Sequence, residues 1–188
     1  MSGPGRLDLV SLFREAGQRA YGESVTQLQH ALQCADLAHR DRADDEVVVA
    51  ALLHDIGHLV QHEEDREDHH HGNGGAGFVR PFVPARVAWL IEHHVIAKRY
   101  LCTVDVRYVD QLSPASRRSY TMQGARLQPE EQLRLETRPW FVDAVRVRRW
   151  DDAAKVPGAA CPPLIAYAPL LERYFGPQTW MAGPGIDR

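Results

Sequence analysis

The sequence carries no excess of positive charge, no long apolar run, no paired cysteines and no repeat, and each absence removes a class of protein. With 22 Lys and Arg against 25 Asp and Glu, a formal charge of -3 and a pI near 6.4, no global positive field exists to hold nucleic acid or an anionic membrane. Any anionic ligand must therefore be held by local charges. The longest apolar stretch, Val47 to Leu53, is far short of the roughly 20 residues that a bilayer crossing needs. The start Met1-Ser2-Gly3-Pro4-Gly5 has no basic segment leading into an apolar one, so the expected location is the cytoplasm. Cys34, Cys102 and Cys161 form no Cys-x-x-Cys pair and no even disulfide set, and read as buried small hydrophobes. No strand-like alternation of any length is present.

What is present is histidine and helical periodicity. There are ten histidines, five of them between His58 and His71, which is more than packing requires and hints at metal. A chain of 188 residues suits one compact domain. We expect one all-helical domain over 1–188, with a metal and substrate core over about 20–155 and a tail over 156–188. Leu7, Val10, Phe13 and Ala16 recur at helical spacing over Leu7 to Ala20, with Gly22 as the stop. Ser24 with Gln27 reads as a capping box for a second helix carrying Val25, Leu28, His30, Leu32 and Ala35. Asp44 and Asp45 can cap a third helix so apolar that it should be buried nearly all round, and it delivers His54 and Asp55 at its C-terminal end. The polar segment Gln61 to Gly77 reads as a loop leading into a short helix near Ala76 to Arg80. Pro84, Pro114 and Pro129 are placed to open further helices. A strong helix is expected from Trp140 to about Lys155, with Cys161-Pro162-Pro163 breaking regular structure before a short tail around Leu170 to Phe175.

His54 and Asp55 are adjacent, and both can face one ion only where the backbone leaves the regular helix, a freedom that Gly57 is expected to supply. Imidazole and carboxylate together suit first-row divalent ions, with the carboxylate able to bridge two of them. His30 upstream and Asp151 downstream complete the order His, His-Asp, Asp of one metal site. On the helix after Pro84, the spacing of Val87, Ile91, His94 and Lys98 puts His94 and Lys98 on one side and turns His93 away by about 100°. A second ion needs a further ligand from the loop, and spacing leaves His69, His70 and His71 equally open. Near these ligands Lys98, Arg148 and Ser116 could hold a phosphate-like group through charge-assisted hydrogen bonds and a helix N-terminus.

These stretches resemble a known family, the phosphonate-degrading HD-domain di-iron oxygenases of the 2-amino-1-hydroxyethylphosphonate oxygenase type, which are distantly similar to myo-inositol oxygenase. The likeness rests on Gly22-Glu23, Gln27-Leu28-x-His30, Leu53-His54-Asp55-Ile56-Gly57-His58, His94 with Ala97-Lys98-Arg99-Tyr100-Leu101-Cys102, Ser113-x-Ala115-Ser116, Gln123-Gly124 and Arg148-x-Trp150-Asp151. The resemblance implies one iron on His30, His54, Asp55 and Asp151, and a second on bridging Asp55 with His71 and His94. His71 is singled out there because Gly75-Ala76 follows it at the family's spacing. It also implies that His58, Lys98, Ser116, Gln123 and Arg148 surround the phosphonate, with Asp55, His58 and Lys98 acting in catalysis and Glu23 toward a cationic end of the substrate.

The implied chemistry uses an Fe(II)/Fe(III) pair and O2 to cleave the carbon–phosphorus bond of a 1-hydroxy-2-(amino or trimethylammonio)ethylphosphonate, giving phosphate and glycine or a betaine. A phosphonate hydroxylase would supply the substrate. In the family a tyrosine that can occupy the iron until substrate displaces it has one residue between it and the Gly-Glu pair, whereas Tyr21 adjoins Gly22 directly. That shift would turn Tyr21 by about 100°, away from the metal and among the substrate residues, where a trimethylammonium group would want aromatic faces as well as Glu23. Two other classes share the bare metal motif: a metal-dependent phosphohydrolase acting on a nucleotide or phosphodiester, and a non-catalytic metal-binding regulator, which would not need Lys98, Ser116 and Arg148.

Overall fold

The computed structural model describes residues 7–20, 24–60, 71–180 and 183–186. Tyr21, Gly22, Glu23, His69 and His70 lie outside the described residues. Among the described residues the secondary structure is helical, apart from one antiparallel bridge between Ala20 and Thr26. No described helix is long and apolar enough to cross a membrane.

Helix α1 is Leu9–Ala16, capped by Asp8, whose side chain accepts from the Ser11 N–H. Helix α2 is Gln27–Arg40. Its capping box is Thr26 with Gln29 rather than the expected Ser24 with Gln27. Both pairs have the same spacing; the Ala20–Thr26 bridge holds Thr26 extended, as an N-cap must be. Helix α3 is Asp45–Leu53, capped by Asp44 and buried at every position from Val47 to Leu53, as its apolar run predicts. The chain then turns through His54, Asp55 and Ile56 into the single-turn α4, Gly57–Val60.

Helix α5 is His71–Val79, so it begins five residues before the expected Ala76. Gly72, Gly74, Gly75 and Gly77 all fall inside it, against their intrinsic preference. Close packing overrides propensity here: a Cβ at Gly72 would come within 2.9 Å of the Val95 side chain and 3.0 Å of the Glu92 carbonyl oxygen on the neighbouring helix. That neighbour is α6, Ala85–Val104, which starts after Pro84. It is followed by the short α7, Tyr108–Gln111, then α8, Pro114–Met122, α9, Pro129–Glu136, and α10, Phe141–Ala153. A 3-10 turn over Leu164–Tyr167 leads into α11, Ala168–Phe175.

α6 packs against α10, α5 and α3, while α2 packs against α3 and α10. Leu164, Leu171, Phe175 and Ile186 join the same apolar core as Leu28, Leu52 and Ile91, so the C-terminal segment closes the bundle. The site lies where α2, α3, α5, α6 and α10 converge.

Candidate metal centre and anion site

Six buried candidate ligands meet in the core: His30 from α2, His54 and Asp55 from the turn after α3, His71 from the first turn of α5, His94 from α6 and Asp151 from α10. The two oxygens of Asp55 face opposite ways. Oδ2 stands 3.6 Å from His30 Nε2 and 3.4 Å from His54 Nε2, while Oδ1 stands 3.6 Å from His71 Nε2 and 3.4 Å from His94 Nε2. Asp151 Oδ1 adds a ligand atom to the first group, 3.3 Å from His30 Nε2 and 3.9 Å from His54 Nε2. Donor atoms about 2.1 Å from a shared ion lie roughly 3.0–3.4 Å apart at adjacent positions and about 4.2 Å apart at opposite ones, and the carboxylate–imidazole pairs of each group, 3.3–3.9 Å apart, lie between these limits.

Hydrogen bonds behind the rings aim them inward. His30 Nδ1 donates to the Ala154 carbonyl at 2.8 Å, His54 Nδ1 to Ala51 at 2.8 Å and His94 Nδ1 to Ile91 at 2.7 Å. This leaves the Nε2 lone pairs facing the centre. His30 and His54 Nε2 are 3.0 Å apart, and His71 and His94 Nε2 are 3.3 Å apart. Two lone pairs at that distance repel unless a cation stands between or beside them, which is a requirement for a metal or a proton.

The electrostatics agree. Burial disfavours a charged His54, yet the Asp55 carboxylate and the Cys34 thiol beside it outweigh burial and raise its pKa well above the ordinary imidazole value. Burial lowers His94 to about 4, only partly offset by Asp55, so that ring is a neutral ligand. Burial alone would raise Asp55, but His54, His94 and His58 hold it well below the usual carboxylate range; Arg148 and Lys155 do the same for Asp151.

Gly57 has an ordinary φ, outside the left-handed region, so conformational freedom is not why glycine stands there. A Cβ at that position would overlap the His71 carbonyl oxygen and lie 2.8 Å from its carbon. The glycine lets α4 close onto the backbone of His71, a candidate ligand. His58, on the same turn, stacks on His71 with ring centroids 4.3 Å apart. His93 is turned out as expected, stacked on Trp89 and donating from Nδ1 to its carbonyl at 2.9 Å.

Of the expected anion-binding residues, Arg148 pairs with the candidate ligand Asp151 directly and Ser116 is linked to it through Lys155. Lys98 and Arg148 are both buried, and both act on Cys102, although burial prevails and pushes that thiol up to about 11. Lys98 Nζ donates to Ser119 Oγ at 2.5 Å. Arg148 pairs with Asp151 at 2.6 Å and makes a two-pronged contact with Asp152, through Nε at 2.9 Å and through Nη2. Tyr108 steadies that carboxylate, donating to Asp152 Oδ2 at 2.7 Å. Ser116 lies in the first turn of α8 behind its Ser113 cap. The side-chain amide of Gln123, at the end of α8, is buried with neither Nε2 nor Oε1 hydrogen-bonded among the described residues.

Four residues of this arrangement were not expected from sequence: Ser119, Asp152, Tyr108 and Lys155. Ser119 stands one turn after Ser116, Asp152 one turn after Arg148 and Lys155 one turn after Asp151, spacings that carried a signal; Tyr108 carried none.

A helical bundle converging on two histidine groups that share one aspartate defines an HD-domain metalloprotein. The HD domain family matches residues 27–135. The chain is 46% identical over 170 residues to hydroxymethylphosphonate dioxygenase of Gimesia maris, spanning 87% of this chain and 85% of that protein. It is 35% identical over 168 residues to [1-hydroxy-2-(trimethylamino)ethyl]phosphonate dioxygenase (glycine-betaine-forming) of Leisingera caerulea, spanning 86% of each. A mimivirus protein without an assigned activity is 32% identical over 183 residues, 91% of this chain and 82% of its own. The chain thus belongs to the HD-domain family, in its branch of phosphonate dioxygenases.

Proposed function

We propose that the whole chain acts as one HD domain that uses O2 to cleave the carbon–phosphorus bond of a 1-hydroxyphosphonate. The observation that carries this reading is the bridging geometry of Asp55, with two histidines on each oxygen, beside a buried Lys98, Ser116 and Arg148. The relatives' names favour oxidation over the phosphohydrolase alternative. In the balanced reaction the carbon–phosphorus bond, a C–H bond of the hydroxyl-bearing carbon and the O–O bond all break; one oxygen atom ends on carbon, giving a carboxylic acid, the other on phosphorus, giving phosphate, and the hydrogen leaves carbon as a proton shared by the two acids.

The ions we assign are iron, as Fe(II)/Fe(III), on His30, His54, Asp55 and Asp151 and on Asp55, His71 and His94. Imidazole with carboxylate suits that metal, and bound iron would supply the O2 activation and one-electron chemistry that oxidation of the carbon requires. The chain's own residues do the rest. Lys98, Ser116, Arg148 and the unbonded Gln123 amide hold the phosphonate through charge-assisted and neutral hydrogen bonds. His58 stands at the Asp55 side of the site to move a proton at the substrate hydroxyl. The buried wall excludes bulk water from the reacting carbon. Two ions against two carboxylates and four neutral imidazoles leave the site net positive, which an anionic chelating substrate neutralises.

The substrate is one of three 1-hydroxyphosphonates differing beyond the hydroxyl-bearing carbon: no arm, an aminomethyl arm, or a trimethylammoniomethyl arm. Glu23 and Tyr21 are the residues assigned to that arm. A substrate already hydroxylated next to phosphorus implies a phosphonate hydroxylase upstream, and both enzymes in the cytoplasm. Electron paramagnetic resonance of the iron-loaded protein tests the reading: a mixed-valent di-iron signal that changes on adding the reactive 1-hydroxyphosphonate is expected, and an iron-loaded protein with no such signal contradicts it.

A further inference from the structure

Lys155 looks at first like an ordinary helix-end lysine, paired with Asp151 four residues back and Asp152 three residues back, at 3.3 Å and 3.6 Å. Pairs of that kind usually lie on a solvated face and contribute little. This one does not: the side chain is only 10% exposed, and its Nζ reaches across to α8, donating to Ser116 Oγ at 2.9 Å. The backbone on both sides of it is fastened to the metal-bearing helix α2. The Ala154 carbonyl accepts from His30 Nδ1 at 2.8 Å, and Val156 is clamped twice by Gln33, at 2.9 Å through its carbonyl and 3.1 Å through its N–H.

We infer that Lys155 is a further anion-contacting residue of the site, gripping a phosphonate or phosphate oxygen together with Ser116 on the side of α8 next to Asp151. Three features lead there. First, the Asp151 oxygen that Lys155 approaches is Oδ1, the same atom that faces His30 and His54. A metal ion on that oxygen and an ammonium beside it repel each other, and an anion set between them converts the repulsion into two attractions. Secondly, Ser116 Oγ accepts from Lys155, which leaves the Ser116 proton for an acceptor such as a ligand oxygen; Ser119, by contrast, spends its proton on the Ser116 carbonyl at 3.2 Å. Thirdly, Lys155–Ser116 and Lys98–Ser119 form two like pairs one turn apart on α8. Neighbouring positions of that kind are about 5–6 Å apart at Cβ, a gap that one tetrahedral anion can span.

This inference rests on the anion site proposed above, and its test needs neither O2 nor a carbon–phosphorus bond. Inorganic phosphate is titrated by calorimetry into the iron-loaded full-length protein and its Lys155 variants. Lys155→Met should weaken phosphate binding by about tenfold or more, with iron content unchanged, and Lys155→Arg should restore most of the loss. If Lys155→Met does not fold, Lys155→Gln, which keeps a donor for Ser116 and lacks the charge, should show the same weakening. Wild-type protein that binds no phosphate, variants that bind it as the wild type does, or a variant that loses iron with unchanged phosphate affinity per loaded site would overturn the assignment. A protein that binds phosphate through Lys155 but consumes no O2 would instead sink only the oxygenase reading.

Discussion

The backbone of Gly57 lies so close to the carbonyl of His71 that no larger residue fits between them. That contact joins the turn bearing His54 and Asp55 to the helix bearing His71, and so holds the two halves of the metal centre in register. Gly75 closes the same contact from α5, since a Cβ there would lie 2.9 Å from the Gly57 nitrogen. Gly57→Ala should therefore cost about 1–3 kcal/mol through overpacking and should lower occupancy of the ion on His71 and His94 before that of the other. Thermal melting and metal analysis on one sample check both parts.

Metal content should follow the way the ligands are shared. Asp55 faces both groups, whereas Asp151 faces only the first and His94 only the second. Asp55→Ala should thus abolish both ions, and His94→Ala or Asp151→Ala should each spare one. Metal analysis after dialysis reads the difference, and equal loss in all three variants would contradict the sharing.

Proton release should accompany metal loading. In the metal-free protein His54 has a raised pKa, so it is protonated at pH 7, while His94, lowered to about 4, already is not. A raised imidazole stabilises the metal-free fold fully below its unfolded value near 6.5, and this stabilisation is lost as pH rises through the folded value. Loading at pH 7 should displace the His54 proton, with affinity rising as the pH is raised from there. Calorimetry in buffers of different ionisation enthalpy measures it; an enthalpy independent of buffer is the contrary result.

Lys98→Ala should weaken 1-hydroxyphosphonate binding by about ten- to hundredfold and leave iron content intact. Lys98 donates to Ser119 at 2.5 Å, whereas Arg148 pairs directly with Asp151 at 2.6 Å. Loss of iron in this variant would move Lys98 into the metal framework.

Much of this candidate site was legible in the sequence because four of its six candidate ligands sit on helices, where apolar stripes fix direction, and the other two follow directly on the apolar α3. His94 was separated from His93 by counting from Val87 and Ile91, and α3 announced its burial by being apolar throughout. The start of α5 was not legible, since four glycines argue against a helix until the partners that demand smallness at Gly72 and Gly75 are known. The Thr26 cap was hidden for a different reason: two overlapping pairs meet the same rule, and a contact with Ala20 decides between them. Asp152 and Lys155 read as routine helix-end charges, because their significance lies in reaching Arg148 and Ser116 from a buried position.

The most direct test of the account is phosphate release measured with and without O2 from hydroxymethylphosphonate, 2-amino-1-hydroxyethylphosphonate and its trimethylammonio analogue, using iron-loaded protein. At least one of them should yield one phosphate per O2 consumed and none in anaerobic buffer. Phosphate released at the same rate without O2 would contradict it.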